Sequence, residues 1–247
     1  MTVNISRRAA LRRVAFVVTG TALGSQALSL PAQAAGNGPE PDRFRKEIRR
    51  MQERNERVMT GLASKNGWEM EKVADAHGHI YTRPVPGTPL DGVQMRMAEV
   101  ETVLMHVISR FHYEIDALRK GDVVGWRKPG SVRKGIAESN LASGTAVQIR
   151  PGSYPSGARG GFYPMEEFVV RDILAECEGV VRWGGDDNRP DESLFYIDVP
   201  PDDERLAKVA AKIRDWNYTP GRGSGVLVDH LQPDRRKDAK RLAASQS

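Results

Sequence analysis

Apolar positions recur with helical spacing in several stretches and cluster in short runs between them. In "FRKEIRRMQERNERVMTGLASKNGW", Phe44, Ile48, Met51, Val58, Met59 and Leu62 fall near one helical face. Arg43, Arg45, Lys46, Arg49, Arg50, Arg54 and Arg57 fall opposite, and Asn66-Gly67 ends the element. The clearest helix is "AEVETVLMHVISRF", where Val100, Val103, Leu104, Val107, Ile108 and Phe111 make a wide buried stripe. A further helix runs from Met165 to Glu178, with Phe168, Val169, Ile173, Leu174 and Cys177 on its apolar face. "DDERLAKVAAKIRDW" is amphipathic with an acidic first turn. Between these lie an extended piece broken by prolines, "HIYTRPVPGTP", and short β-branched or aromatic runs: "VQMRM", "DVVGW", "TAVQI", "GVVRWGG" and "LFYIDV". This order predicts an α+β fold, a small, mostly antiparallel sheet packed by helices.

The first 34 residues follow a different pattern. A basic start leads through "VAFVVTGTALGSQALSL" to "PAQA", where Ala32 and Ala34 make an A-x-A cleavage site. The apolar stretch is short and diluted by Thr19, Gly20, Thr21 and Gly24, which argues for a removable signal rather than a membrane span. "SRRAAL" resembles a twin-arginine export signal, which implies transport of a folded chain by export machinery across a bacterial cytoplasmic membrane. The expected organisation is a signal peptide over 1–34, a linker and amphipathic helix over 35–66, a main domain over 67–216 and a disordered basic tail over 217–247.

Charge changes the picture once it is divided. The chain of 247 residues carries +5 overall, but Arg7, Arg8, Arg12 and Arg13 fall in the signal segment, which holds no acid. The remainder is close to neutral, so a global basic field for nucleic acid is excluded. The basic face of the first helix reads either as contact with an anionic wall polymer or as a solvated face of Arg–Glu pairs. Hydrophobic content of 39% fits a globular body, and the single cysteine, Cys177, allows no internal disulfide. Its apolar surroundings suit a buried thiol better than a nucleophile.

Candidate chemistry lies in three blocks, in order. They are "GWR" (Gly125–Arg127), "SNLASGTAVQI" (Ser139–Ile149) and "VVRWGGDDNRPDESLF" (Val180–Phe195). Together they resemble the zinc D,D-peptidase family of D-Ala-D-Ala carboxypeptidases and dipeptidases, whose signature there is S-x-H-x-x-G-x-A-x-D followed by W-G-G-D and D-x-x-H-F. The resemblance implies a carboxypeptidase-like fold, a catalytic zinc and a peptidoglycan stem peptide as substrate. The frame residues Ser139, Gly144, Ala146, Trp183 and Gly185 match. The three ligand positions hold Leu141, Gln148 and Leu194 instead. Leucine has no lone pair to give, and a neutral amide oxygen suits calcium better than zinc. The position of the general base keeps an acid, Asp191, and Arg127 stands where a carboxylate-gripping arginine is expected. The expectation is therefore an exported, wall-associated protein without zinc or peptidase activity. It would still bind a peptide end through Arg127, Ser139 and Gln148. Two alternatives stay open: an active metallopeptidase with a relocated metal, for which His77 and His79 in "HGH" are the candidates, and an interaction scaffold in which the old cleft is core.

Other constellations are weaker. Ser139 and Ser143 have no histidine near in sequence to activate them. "GARGG" (157–161) lacks the lysine of a phosphate loop and reads as a mobile surface loop. "GGDDNRPDE" (184–192) reads as a solvated connector or as the rim of a remnant cleft.

Overall fold

The structure is a computed structural model and describes residues 41–246 apart from Leu227. The expected export signal and most of the linker lie outside the described residues. The described chain is mixed α/β, an α+β arrangement of helices around small antiparallel sheets. In chain order the elements are α1 (Pro41–Val58), β1 (Met59–Ala63), β2 (Glu69–Glu71), β3 (Ile80–Arg83), β4 (Val93–Arg96) and α2 (Glu99–Glu114). Then follow β5 (Val123–Val124), β6 (Ala146–Ile149), α3 (Pro164–Glu176), β7 (Val181–Trp183), β8 (Leu194–Ile197), α4 (Glu204–Tyr218) and α5 (Pro233–Gln246).

The central sheet has the order β5-β6-β8-β7, antiparallel throughout. Its period-two alternation sorts side chains onto two faces. Val147, Ile149, Phe195, Ile197, Val181 and Trp183 join the main core with Val103, Leu104, Val107, Ile108 and Phe111 of α2, Ile173 and Leu174 of α3, and Val209 and Ile213 of α4. Ala146, Leu194 and Tyr196 point the other way, into a small cluster with Met70, Val132, Ala137, Leu141 and Ala142. The stripe of α2 is thus buried as its periodicity predicts. Cys177 is fully buried, and that burial pushes its thiol up to about 12.

Three sequence boundaries shift. The first helix stops at Val58, and Met59 and Leu62 belong to β1. Gly61 adopts φ +70 and β1 pairs with β2, so backbone pairing overrides a helical period that those side chains also satisfied. The body begins before residue 67, because the Asn66 amide donates to Thr145 Oγ1 at 2.8 Å and to the Ile197 carbonyl at 2.7 Å. The tail holds a helix, α5, where disorder was expected.

That helix docks through charge. Arg110 of α2 is 1% exposed and donates to Glu114, Asp172 and Glu176. Arg235 of α5 adds a donor to Asp172 at 2.7 Å and to Glu176 at 2.7 Å. His230 lies 3.1 Å from Glu114 and 3.3 Å from Asp172, and His106 lies 2.8 Å from Glu176. The Arg236 guanidinium covers the Phe168 ring at 5.6 Å. A polar, basic tail carries no apolar period to announce such docking.

Burial raises the cost of charging Glu176, but the His106 hydrogen bond and the Arg110 charge outweigh it and hold its carboxyl down at about 2, against 4.5 ordinarily. A depressed acid stabilises the fold fully above its unfolded value and loses that contribution as pH falls through its folded value. Glu176 alone should therefore cost about 3 kcal/mol between pH ~4.5 and ~2. Asp172, also held low despite burial by Arg235 and Arg110, adds to the loss in the same direction. Circular-dichroism melts across that window check this, and a flat profile would exclude it. Arg235→Ala should lower stability by about 2–3 kcal/mol and abolish amide protection in 233–246. Unchanged exchange in that segment would show that the helix docks by other means.

Candidate functional site

The second sequence block folds as a 3₁₀ turn over Ala137–Leu141 that runs through Gly144 into β6. Gly144 has φ +67, and a Cβ there would meet the Arg96 backbone nitrogen at 2.8 Å. Arg96 N–H donates to the Gly144 carbonyl at 2.8 Å, and its side chain donates to the Ser143 carbonyl at 3.0 Å. The glycine is thus required by both conformation and close approach. The turn is pinned from the other side by hydroxyls. Ser64 donates to Ser143 Oγ at 2.8 Å, Ser143 and Thr145 hydroxyls lie 2.8 Å apart, and the Lys65 amide donates to Ser139 Oγ at 2.9 Å. Ser139 also donates to the Ile136 carbonyl at 2.8 Å and is 2% exposed. Ser139 is therefore a structural tie in this fold, and neither serine stands free as a nucleophile.

The third block closes the site. Gly184 allows the chain to fold back, since a Cβ there would lie 2.6 Å from the Asp191 carbonyl oxygen. Its own carbonyl accepts from the Asp187 and Asp191 amides. Trp183 Nε1 donates to the Glu192 carbonyl at 2.7 Å, and Arg171 stacks on the Trp183 ring at 4.9 Å while donating to Asp186. The Glu192 carboxylate accepts from the Gly160 and Gly161 amides at 2.7 and 2.8 Å, and Arg159 donates to the Gly185 and Asp187 carbonyls. The 157–161 loop, expected to be mobile, is instead tied to the 184–192 segment by these bonds. Paired glycine amides have found their anion inside the protein.

The positions singled out in sequence come together. Gln148 and Leu194 are direct cross-strand partners on β6 and β8, so their side chains share a face. Leu141 and Leu194 pack in the same apolar cluster. Gln148 Nε2 donates to Asp191 Oδ2 at 2.9 Å, and Asp191 Oδ1 accepts from Ser193 Oγ at 2.6 Å. Gln148 and Asp191 are 6% and 5% exposed, and Gln148 Oε1 has no hydrogen-bond partner among the described residues. Asp191 and Leu194 border a cavity of about 600 Å³ whose rim includes Lys65, Arg133, Arg182, Asp187 and Arg189. From the 184–192 segment, Asp186, Asp187, Asn188, Arg189 and Asp191 line it. Tyr196 donates to Asp187 at 2.9 Å, while Arg133 pairs with Glu138.

Arg127 is not in the cavity wall. Its amide donates to the Leu141 carbonyl at 3.4 Å, and the cationic groups of the rim are Lys65, Arg133, Arg182 and Arg189. Arg182 and Arg189 carried no separate sequence signal, because only the register of β7 on β8 and the fold of the connector bring them there. The side chains at the three positions do not fit zinc: Leu141 and Leu194 offer no donor atom and Gln148 only a neutral amide. His79 Nδ1 lies 3.0 Å from Glu71 Oε1, and among the described residues no three His, Cys, Asp or Glu side chains group as metal ligands. Glu71 is fully buried; burial opposes its charge, but the His79 side chain and amide and the Arg96 charge hold its carboxyl below the ordinary value.

No family model matches the chain, and no curated protein or solved structure matches it either.

Gly144→Ala should cost about 2 kcal/mol or more, because it combines positive-φ strain with a backbone collision. Gly130→Ala, where an added Cβ meets nothing within 4 Å and φ is not positive, is the control. Equal melting temperatures for the two variants would remove the close approach at Gly144 as a constraint on the site.

Proposed function

We propose that the chain is an exported, catalytically silent protein of D-Ala-D-Ala carboxypeptidase-like fold that holds the end of a cell-wall stem peptide in its cleft. The observation that supports this most is the meeting of Asp191 and Leu194, from two different elements, at one cavity wall, with Leu141 in the same apolar cluster as Leu194 and Gln148 hydrogen-bonded to Asp191. Leu194, Ile136 and Ala137 give the cleft a small apolar patch suited to small aliphatic side chains. The carboxylate of a peptide end would find Arg189, which has no ion pair among the described residues, rather than Arg127. Asp191 would act as a fixed acceptor, since both its carboxylate oxygens already accept hydrogen bonds from Gln148 and Ser193. On this reading the protein works outside the cytoplasmic membrane, at the wall.

Reconstruction tests the geometry. The triple variant Leu141→His, Gln148→Asp, Leu194→His should be less stable than wild type by about 3 kcal/mol without metal, because polar groups replace buried leucines. Zinc at a hundredfold excess over its Kd should restore about 2.7 kcal/mol, whereas single variants and wild type should gain little. A folded triple variant indifferent to zinc would show that the three positions are not arranged as ligands. Calorimetric titration with a stem peptide ending in D-Ala-D-Ala then separates the readings. Binding weakened about tenfold by Arg189→Gln supports peptide capture. A zinc-responsive triple variant whose parent ignores the peptide would leave the scaffold reading.

A further inference from the structure

Helix α1 buries none of its middle. Every residue from 43 to 57 is exposed, and only Val58 enters the core. Phe44, Ile48 and Met51, spaced four and three residues apart, lie along one stripe and are 63%, 39% and 56% exposed. Asn55 continues that line. Arg43, Arg45, Lys46, Arg49, Arg50, Arg54 and Arg57 occupy the flanks and back, against Glu47, Glu53 and Glu56. One of these acids, Glu47, is engaged by Arg50 at 2.7 Å.

The occupant of this face must satisfy both features. A soluble polyanion would meet the arginines and leave three large apolar side chains in water. A second copy of α1 would cover the stripe but set two strongly basic helices side by side, with only about two turns of apolar contact between them. An anionic bilayer accepts both: the apolar stripe enters the acyl boundary and the basic flanks reach the headgroups. Among the described residues no helix is long and apolar enough to cross a membrane, so such a helix lies on the surface.

We propose that α1 is an interfacial anchor that lays the protein on an anionic lipid surface. This is independent of what the cleft binds. The test uses the full chain with Met51→Cys carrying an environment-sensitive fluorophore. Cys177 stays unlabelled because its buried thiol is held up at about 12. Vesicles of phosphatidylcholine with about 30% phosphatidylglycerol should shift the label to an apolar signature, pure phosphatidylcholine should not, and high salt should reverse the shift. In the same background, Arg45→Gln, Arg49→Gln and Arg54→Gln together should lower partitioning about a hundredfold. Because the helix is exposed, these changes leave the melting temperature in place. Four outcomes overturn the proposal. The first is vesicle binding with the label still hydrated, which assigns binding to another part of the chain. The second is a shift with protein concentration alone, which assigns the face to a second copy. The third is a soluble polyanion that shifts the label as far as vesicles do. The fourth is an arginine variant that partitions as well as its parent.

Discussion

Arg110 is the group on which the helical layer depends. It lies on α2, essentially without solvent, and four side-chain hydrogen bonds tie it to Glu114 on its own helix and to Asp172 and Glu176 on α3. A guanidinium so placed is tolerable only if its charge and its donors are answered in full. Three carboxylates answer one arginine, which leaves an excess of negative charge between the helices. Arg235 from the C-terminal segment removes part of that excess, and His106 and His230 stand at its edges. The tail helix is therefore best understood as the counter-charge of the α2–α3 contact. Its position follows from electrostatics, and its few apolar contacts, such as buried Ala239, come second.

The central sheet separates two kinds of interior. On the helical face, aromatic and β-branched side chains of β6, β7 and β8 interlock with three helices, as a stability core does. On the opposite face the cover is thin: a 3₁₀ turn, the β1–β2 hairpin and the connector before β8. Here the chain relies on specific polar ties, the hydroxyl group of Ser143 among Ser64 and Thr145, and the amide of Asn66 on Thr145. A face closed by loops and polar ties leaves room for a cavity, and the cavity bordered by Asp191 and Leu194 lies there.

How much of this could be read from the sequence depends on what held each part. The stripes of 98–111 and 165–178 and the β-branched runs around 147 and 195 were legible, because burial against a core imposes a period. The proximity of positions 141, 148, 194 and 191 was expected only through the resemblance of the three blocks, since nothing in their spacing alone brings them together. The end of α1 was not legible. Met59 and Leu62 fit the helical period, and only the pairing of β1 with β2 and the positive φ of Gly61 put them in a strand. The tail helix was hidden because its anchors are Arg235 and Arg236, which look like solvated charges until Asp172, Glu176 and Phe168 are placed beside them. The 157–161 loop looked mobile for its glycines, and the glycines turn out to free two amides for Glu192. Arg127 was placed by motif alone; its backbone meets the site and its side chain is not in the cavity wall.

A metal at positions 141, 148 and 194 would cross-link three segments, the 3₁₀ turn, β6 and β8. Loss of such a link ordinarily loosens the elements it joined. Each of its connections has a counterpart in this chain. Leu141 and Leu194 join the turn to β8 by apolar packing, which suits a partly desolvated site better than unliganded polar groups would. Gln148 and Asp191 join β6 to the connector before β8 by a hydrogen bond to a carboxylate, among the stronger neutral-to-charged contacts a protein makes. Both ties form within the protein alone, with no ion to capture. The surroundings of Asp191 and Leu194 are accordingly fixed by the protein's own contacts. The same ties occupy both carboxylate oxygens of Asp191, Oδ2 with Gln148 and Oδ1 with Ser193.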